Sequence, residues 1–277
     1  MPTATDLPPI PTRRNVLALR ELADLGTGKG PAYSQDWSPD GLLLATADTN
    51  KIRIWNTSSR QEVGVLVGHA GFTWGLAWSP IMPDGASLLA SGNSDGYVKV
   101  WDAAAQSAIA TLQTGWAFSV DWSPDGQRLV VGTNSAEVQI WDVATQQRLV
   151  SWRCPSYSMV ISIGWSPDGS TIATGELDGS IHLWDAATGQ LRQAIPDYTG
   201  ARCDVNGLAW SPDGNTFATA HQDGQVRLWD PTSGELTLTI DAHSGFARGL
   251  AWSPDGSLLA STGEDRRIVL WDPITGR

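Results

Sequence analysis

The order of apolar and polar positions along this chain predicts short strands separated by tight turns. Residues 205–240 show the unit. Val205–Trp210 is an apolar run that ends at Ser211-Pro212-Asp213-Gly214. That tetrapeptide reads as a turn, because proline presets φ and aspartate and glycine suit the positions that follow. Thr216–His221 is a second strand and Gln222-Asp223-Gly224 a hairpin. Gln225–Trp229 is a third strand, alternating apolar and polar side chains. After a turn at Asp230–Gly234, Glu235–Ile240 is the fourth. No helical period of 3.6 residues competes with this reading.

The unit repeats, and tryptophan marks it. The string Trp-Ser-Pro-Asp-Gly begins at Trp37, Trp122, Trp165, Trp210 and Trp252, and an interrupted copy begins at Trp78. A second tryptophan follows each copy: Trp55, Trp101, Trp141, Trp184, Trp229 and Trp271. Five of these precede aspartate, and Trp55 precedes Asn56. Successive first tryptophans lie 41, 44, 43, 45 and 42 residues apart, the spacing of a four-stranded propeller blade. Three residues before each first tryptophan stand Ser34, Gly75, Ser119, Ser162, Gly207 and Gly249, all small. Strand side chains alternate faces, so one face of each inner strand is cut away, as radially packed blades need near an axis.

Over residues 15–277 the chain therefore resembles the WD-repeat β-propellers. The resemblance implies an all-β, six-bladed ring with four antiparallel strands per blade. The last repeat stops after three strands, whereas Asn15–Glu21 reads as a surplus strand ahead of the first repeat. Residues 15–21 are expected to complete blade six, because an open ring exposes strand edges. Residues 1–14 are then an N-terminal tail, and 15–277 one domain.

The family holds its blades with a hydrogen-bonded tetrad of histidine, serine or threonine, aspartate and the second tryptophan. His69, Ser91, Asp95 and Trp101 match it fully, as do His243, Ser261, Asp265 and Trp271. The fourth repeat offers Thr174, Asp178 and Trp184, and the fifth Thr219, Asp223 and Trp229, each without the histidine. Thr49 and Ser135 replace the aspartate in the first and third, which are expected to be held less firmly. A histidine, serine and aspartate can also make a catalytic triad. Recurrence of the set in two repeats argues for a structural role, since buried indole N–H groups need acceptors.

Composition narrows the function. The chain is 41% hydrophobic and 17% charged, a globular balance. Two cysteines, Cys154 and Cys203, are too few for a disulfide framework and suit a reducing compartment. The N-terminus lacks a signal's apolar region, and no stretch approaches the ~18 apolar residues of a membrane span. A cytoplasmic location is expected, with no membrane contact. The net charge of −11 repels phosphate backbones, so no nucleic-acid partner is expected. It favours a soluble, monomeric ring, or attraction to a basic partner. His182 and His221 show no metal-ligand spacing, the phosphate-loop likeness of Gly26–Gly30 is incomplete, and neither metal nor cofactor is expected.

Three tryptophans lie outside the repeat grammar: Trp74, Trp116 and Trp152. Six residues before each first tryptophan stand Pro31, Phe72, Trp116, Met159, Asp204 and Phe246. WD-repeat relatives commonly contact partners there, so Phe72, Trp116, Met159 and Phe246 are expected to ring one mouth of the channel. Trp74 and Phe118 follow two residues later in their repeats, and Tyr157 and Arg202 precede by two in theirs. Interface centres favour aromatic residues, methionine and arginine. The expectation is a non-enzymatic scaffold that binds a protein or peptide through this mouth. The alternatives are side chains that plug the channel, a propeller hydrolase or lyase, and a purely structural assembly module. For an enzyme, Lys29, Arg202, Asp204 and Arg248 are the ionisable candidates, without an acid–base pairing among them.

Overall fold

The computed structural model describes residues 32–80, 87–196 and 203–277. The strand expected at 15–21, the tail, Lys29, Pro31, Arg202 and the interruption at Ile81–Gly85 lie outside the described residues. Among the described residues twenty-three strands form six antiparallel sheets, each a blade of a propeller. Blade 1 is β1 (Ala32–Trp37), β2 (Leu43–Asp48), β3 (Lys51–Asn56) and β4 (Gln61–Val67). Blade 2 is β5 (Thr73–Trp78), β6 (Leu88–Asn93), β7 (Tyr97–Asp102) and β8 (Ser107–Gln113). Blade 3 is β9 (Ala117–Trp122), β10 (Arg128–Thr133), β11 (Glu137–Asp142) and β12 (Gln147–Arg153). Blade 4 is β13 (Val160–Trp165), β14 (Thr171–Glu176), β15 (Ile181–Asp185) and β16 (Leu191–Ile195). Blade 5 is β17 (Val205–Trp210), β18 (Phe217–His221), β19 (Gln225–Trp229) and β20 (Leu236–Asp241). Blade 6 has β21 (Ala247–Trp252), β22 (Leu259–Gly263) and β23 (Ile268–Trp271) among the described residues.

The Trp-Ser-Pro-Asp-Gly strings are the turns between the first two strands of a blade. In blade 3 the Gly126 amide donates to the Ser123 carbonyl at 2.8 Å, with Gly126 at a φ of 69°. Glycine adopts this left-handed conformation without penalty. Opposite each second tryptophan of blades 1 to 5, the outer strand carries a bulge. Bulges there twist the exposed edge and blunt it against pairing with another chain.

The hydrophobic cores lie between blades. One joins Ile52, Ile54 and Leu66 of blade 1 to Leu76, Trp78 and Trp101 of blade 2, and four more join each following pair up to blades 5 and 6. The first tryptophan of a repeat leans across the joint. The indoles of Trp78, Trp122, Trp210 and Trp252 donate to Asp36 O, Ala77 O, Gly164 O and Ala209 O of the preceding blade, at 2.9–3.2 Å. The small residues do what the wedge requires: a Cβ on Gly75 would lie 2.9 Å from Phe118 O of the next blade. The sixth joint differs. Among the described residues no core spans blades 6 and 1, a Cβ on Gly249 would meet only Thr262 of its own blade, and Trp37 is 55% exposed.

The two complete tetrads form as expected. His69 reaches Asp95 through Nδ1 at 2.9 Å and Ser91 Oγ through Nε2 at 2.8 Å, and the Trp101 indole donates to Ser91 Oγ at 2.8 Å. His243, Asp265, Ser261 and Trp271 repeat this at 2.9, 2.8 and 2.8 Å. Burial pushes the His69 pKa down, favouring the neutral ring. Ser91 is fully buried and already engaged by His69 and Trp101, so no substrate reaches its hydroxyl. Ser91→Ala orphans the Trp101 indole and one His69 nitrogen; an expected loss of about 2–4 kcal/mol is measurable by urea unfolding.

The other blades satisfy their tryptophans with local substitutes. Trp55 donates to Thr46 Oγ1 at 2.9 Å and Trp141 to Gln139 Oε1 at 2.9 Å. Trp229 donates to Thr219 Oγ1 at 2.7 Å, and His221 Nε2 lies 2.7 Å from that same hydroxyl. In blade 4 the expected pairing of Thr174 and Trp184 is present at 3.0 Å. Asp178 instead caps a turn at the Ser180 amide, and Glu176 takes its place beside Thr174.

Candidate functional site

The mouth positions are equivalent in space as well as in sequence. The carbonyls of Phe72, Trp116, Met159, Asp204 and Phe246 accept from the amides of Ser94, Asn134, Leu177, Gln222 and Glu264, all at 2.9–3.0 Å. Each mouth residue is thus tied to the hairpin between the second and third strands of its own blade.

A bulge then supplies the side chains. In blades 1, 2, 4 and 5 the pairing of the innermost two strands skips one residue, at Tyr33, Trp74, Ile161 and Asn206. In blade 3 it skips Phe118, and in blade 6 both Arg248 and Gly249. All but Gly249 stand four before the first tryptophan of their repeat. Released from the ladder, Tyr33, Trp74, Phe118 and Arg248 pack on the aromatic residues of the mouth, and bulges are common beside functional sites.

The expected ring is an arc. Tyr33, Phe72, Trp74, Phe118 and Trp116 touch in sequence across blades 1 to 3. Centroid distances are 5.0 Å for Tyr33–Trp74, 6.0 Å for Phe72–Trp74, 5.5 Å for Trp74–Phe118 and 5.4 Å for Trp116–Phe118. Such offset and tilted pairs are favourable beyond their buried area. Phe72 and Trp116 nevertheless remain 45% and 39% exposed. The Trp74 indole nitrogen is shut off from water and has no acceptor, an unusual state for a buried donor.

The opposite side is polar. Phe246 does not join the arc; the Arg248 guanidinium lies over its ring at 5.0 Å. Arg248 also pairs with Glu264 and reaches Asn206 Oδ1 at 3.3 Å. Asp204 is half-buried beside it, and burial pushes its carboxyl above the usual range. Met159 is half-buried on blade 4, and Tyr157 is 77% exposed on the loop before it. Arg202 lies outside the described residues. Tyr33 was absent from the sequence expectation, although it shares the offset of Trp74 and Phe118.

Away from the mouth, Cys154, Glu176 and His182 converge in the interior of blade 4. Both cysteines are free and buried. Among the described residues no helix is long and apolar enough to cross a membrane.

Six antiparallel blades, five of four strands and one with three among the described residues, define a repeat β-propeller. The family model "WD domain, G-beta repeat" matches residues 22–56, 147–185, 192–230 and 234–272, and the chain belongs to this WD-repeat family. A second family model, "Eukaryotic translation initiation factor eIF2A", matches residues 76–144. The chain is 32% identical over 139 residues to the Arabidopsis thaliana protein "Cell division cycle 20.1, cofactor of APC complex", covering 48% of this chain and 29% of that one. It is 37% identical over 101 residues to the Danio rerio "Activating molecule in BECN1-regulated autophagy protein 1A", covering 36% of this chain and 8% of that protein. These matches span less than a third of either relative's length. A chain of the solved "Crystal Structure of Mitotic Checkpoint Complex" superposes with a TM-score of 0.76 at 26% identity, covering 88% of this chain and 75% of that one.

Proposed function

We propose that this propeller is a non-catalytic platform that captures a protein or peptide segment across the aromatic arc at its mouth. One observation carries the reading. Five aromatic rings from three blades are gathered at bulged and loop positions on one face, and their outer members stay exposed. Exposed contiguous aromatic surface on a rigid scaffold marks interaction sites. The relatives' printed names place them in protein assemblies, which agrees with a protein partner for this chain. The polar half of the mouth, with Arg248, Glu264, Asn206 and Asp204, would set the segment's orientation, since charge complementarity governs register more than affinity. A cytoplasmic home suits two reduced, buried cysteines.

The test is affinity capture with the wild-type chain and a Phe72→Ser, Trp116→Ser variant. Both residues are more than a third exposed, so the variant is expected to fold, with circular dichroism as the check. Partners captured by the wild type and lost by the folded variant support the reading. An identical set of captured proteins contradicts it.

A further inference from the structure

The interior of blade 4 carries chemistry that its structural role does not use. The tetrad of blades 2 and 6 needs one hydroxyl for the tryptophan indole and one histidine to hold it. In blade 4 the Trp184 indole is already satisfied by Thr174. Cys154 stands where His243 stands in blade 6: the Cys154 amide donates to Ala136 O, as the His243 amide donates to Gly224 O. Glu176, at the end of β14, accepts from Thr174 at 3.5 Å and from the Ser156 hydroxyl. His182 on β15 presents Nδ1 to Glu176 Oε1 at 2.6 Å. The ligating atoms of Cys154, Glu176 and His182 all lie within 4.8 Å of one another, and all three residues are buried.

We infer that Cys154, Glu176 and His182 form a binding site for a divalent transition metal ion of the zinc type. Sulfur, nitrogen and carboxylate oxygen are the ligand set zinc takes, with bonds of about 2.0–2.3 Å. For an ion bound to all three, the His182–Glu176 pair, at 2.6 Å, must open to let the metal between them. Charge points the same way. Among the described residues the fully buried Glu176 has no lysine or arginine partner. A dication with one thiolate, one carboxylate and a neutral imidazole sums to zero, the state a buried site tolerates best. Without such an ion the thiol stays protonated, because burial and then the nearby Glu176 push its pKa up. Metal uptake therefore releases protons. The Ser156 hydroxyl, on the other oxygen of Glu176, fixes the carboxylate's orientation as outer partners of metal ligands do.

No spacing in the sequence announces this site. The three residues come from a loop and two strands, and only the β14–β15 register with the returning β12–β13 loop brings them together. Because the loop also carries Tyr157 at the mouth, an ion here would stiffen one rim of the proposed partner surface.

The experiment uses the full chain, stripped with a chelator and titrated with Co²⁺, whose spectrum reports thiolate ligation. One Co²⁺ per chain with a thiolate-to-metal charge-transfer band is expected. Cys154→Ser abolishes the band and Cys203→Ser keeps it. If Cys154→Ser fails to fold, X-ray absorption of the zinc-loaded wild type decides, with one sulfur expected in the metal shell. Binding without the thiolate band, a metal shell lacking sulfur, or a band lost in Cys203→Ser overturns the inference. Failure to bind stoichiometric metal overturns it equally. None of these outcomes bears on the mouth.

Discussion

Replacing Trp78 with alanine lowers the stability of this propeller by about 3–5 kcal/mol, whereas Trp37→Ala costs less than about 1 kcal/mol. The two residues hold the same place in their repeats, so a sequence rule would rank them equally. Trp78 is 7% exposed, fills the core between blades 1 and 2, and donates to Asp36 O at 3.1 Å. Its loss leaves an indole-sized cavity and an unpaired carbonyl. Trp37 is 55% exposed and belongs to none of the five inter-blade cores. Urea unfolding of both variants measures the difference. Equal, large losses would mean that blades 6 and 1 are packed as tightly as the other pairs.

The second large effect is a pH dependence centred on the channel. Asp36 and Asp121 sit on the inner strands of blades 1 and 3, and each carboxylate accepts two backbone amides. Asp36 takes those of Trp37 at 3.0 Å and Trp78 at 2.6 Å; Asp121 takes those of Trp122 at 2.8 Å and Trp165 at 2.7 Å. Burial outweighs these bonds and pushes the carboxyls up to about 7 and about 6. The folded state therefore binds protons that the unfolded chain has released between the ordinary aspartate range and pH 7. Stability from these groups rises as pH falls through 7 towards 4, and is lost as pH rises through the same window. Both side chains retain some solvent contact, which moderates the size. Relative to an Asp36→Asn variant, the wild type is expected to gain about 2 kcal/mol between pH 8 and pH 5. His69, whose pKa is lowered, works in the opposite direction below pH 6.5, so the comparison with the variant isolates the carboxylate. A difference between the two proteins that does not change with pH contradicts the assignment.

Much of the fold was legible in the sequence because its signals are local. Turn strings and paired tryptophans place the inner strands to within a residue; β17 and β19 begin and end where the pattern sets them. The tetrads of His69 and His243 were legible for the same reason, since their residues follow a family pattern at fixed offsets. The substitutes were not. Gln139 and His221 act through strand neighbours two positions away, and His182 meets Glu176 across a hairpin whose register no single residue reveals. The mouth was half legible. Phe72, Trp116, Trp74 and Phe118 follow from their offsets, but the bulges that release Tyr33, Trp74 and Phe118 from the ladder have no residue signature, and Tyr33 was missed. The expected ring became an arc because Phe246 is held beneath Arg248. That no core among the described residues spans blades 6 and 1 was not legible, as Gly249 and Trp37 hold the places that small residues and tryptophans hold in every repeat.

On the proposed function, partners bind the aromatic arc of blades 1 to 3. The most direct measurement is selection of peptides from a displayed library on the wild-type propeller, followed by affinity measurement on variants. Phe72→Ser and Trp116→Ser should each weaken selected peptides at least about tenfold, the weight of a buried aromatic anchor. Val67→Ser and Leu149→Ser, at equally exposed apolar positions on the outer strands, should leave them unchanged. Peptides that keep their affinity for the arc variants and lose it for the outer-strand variants would contradict the account.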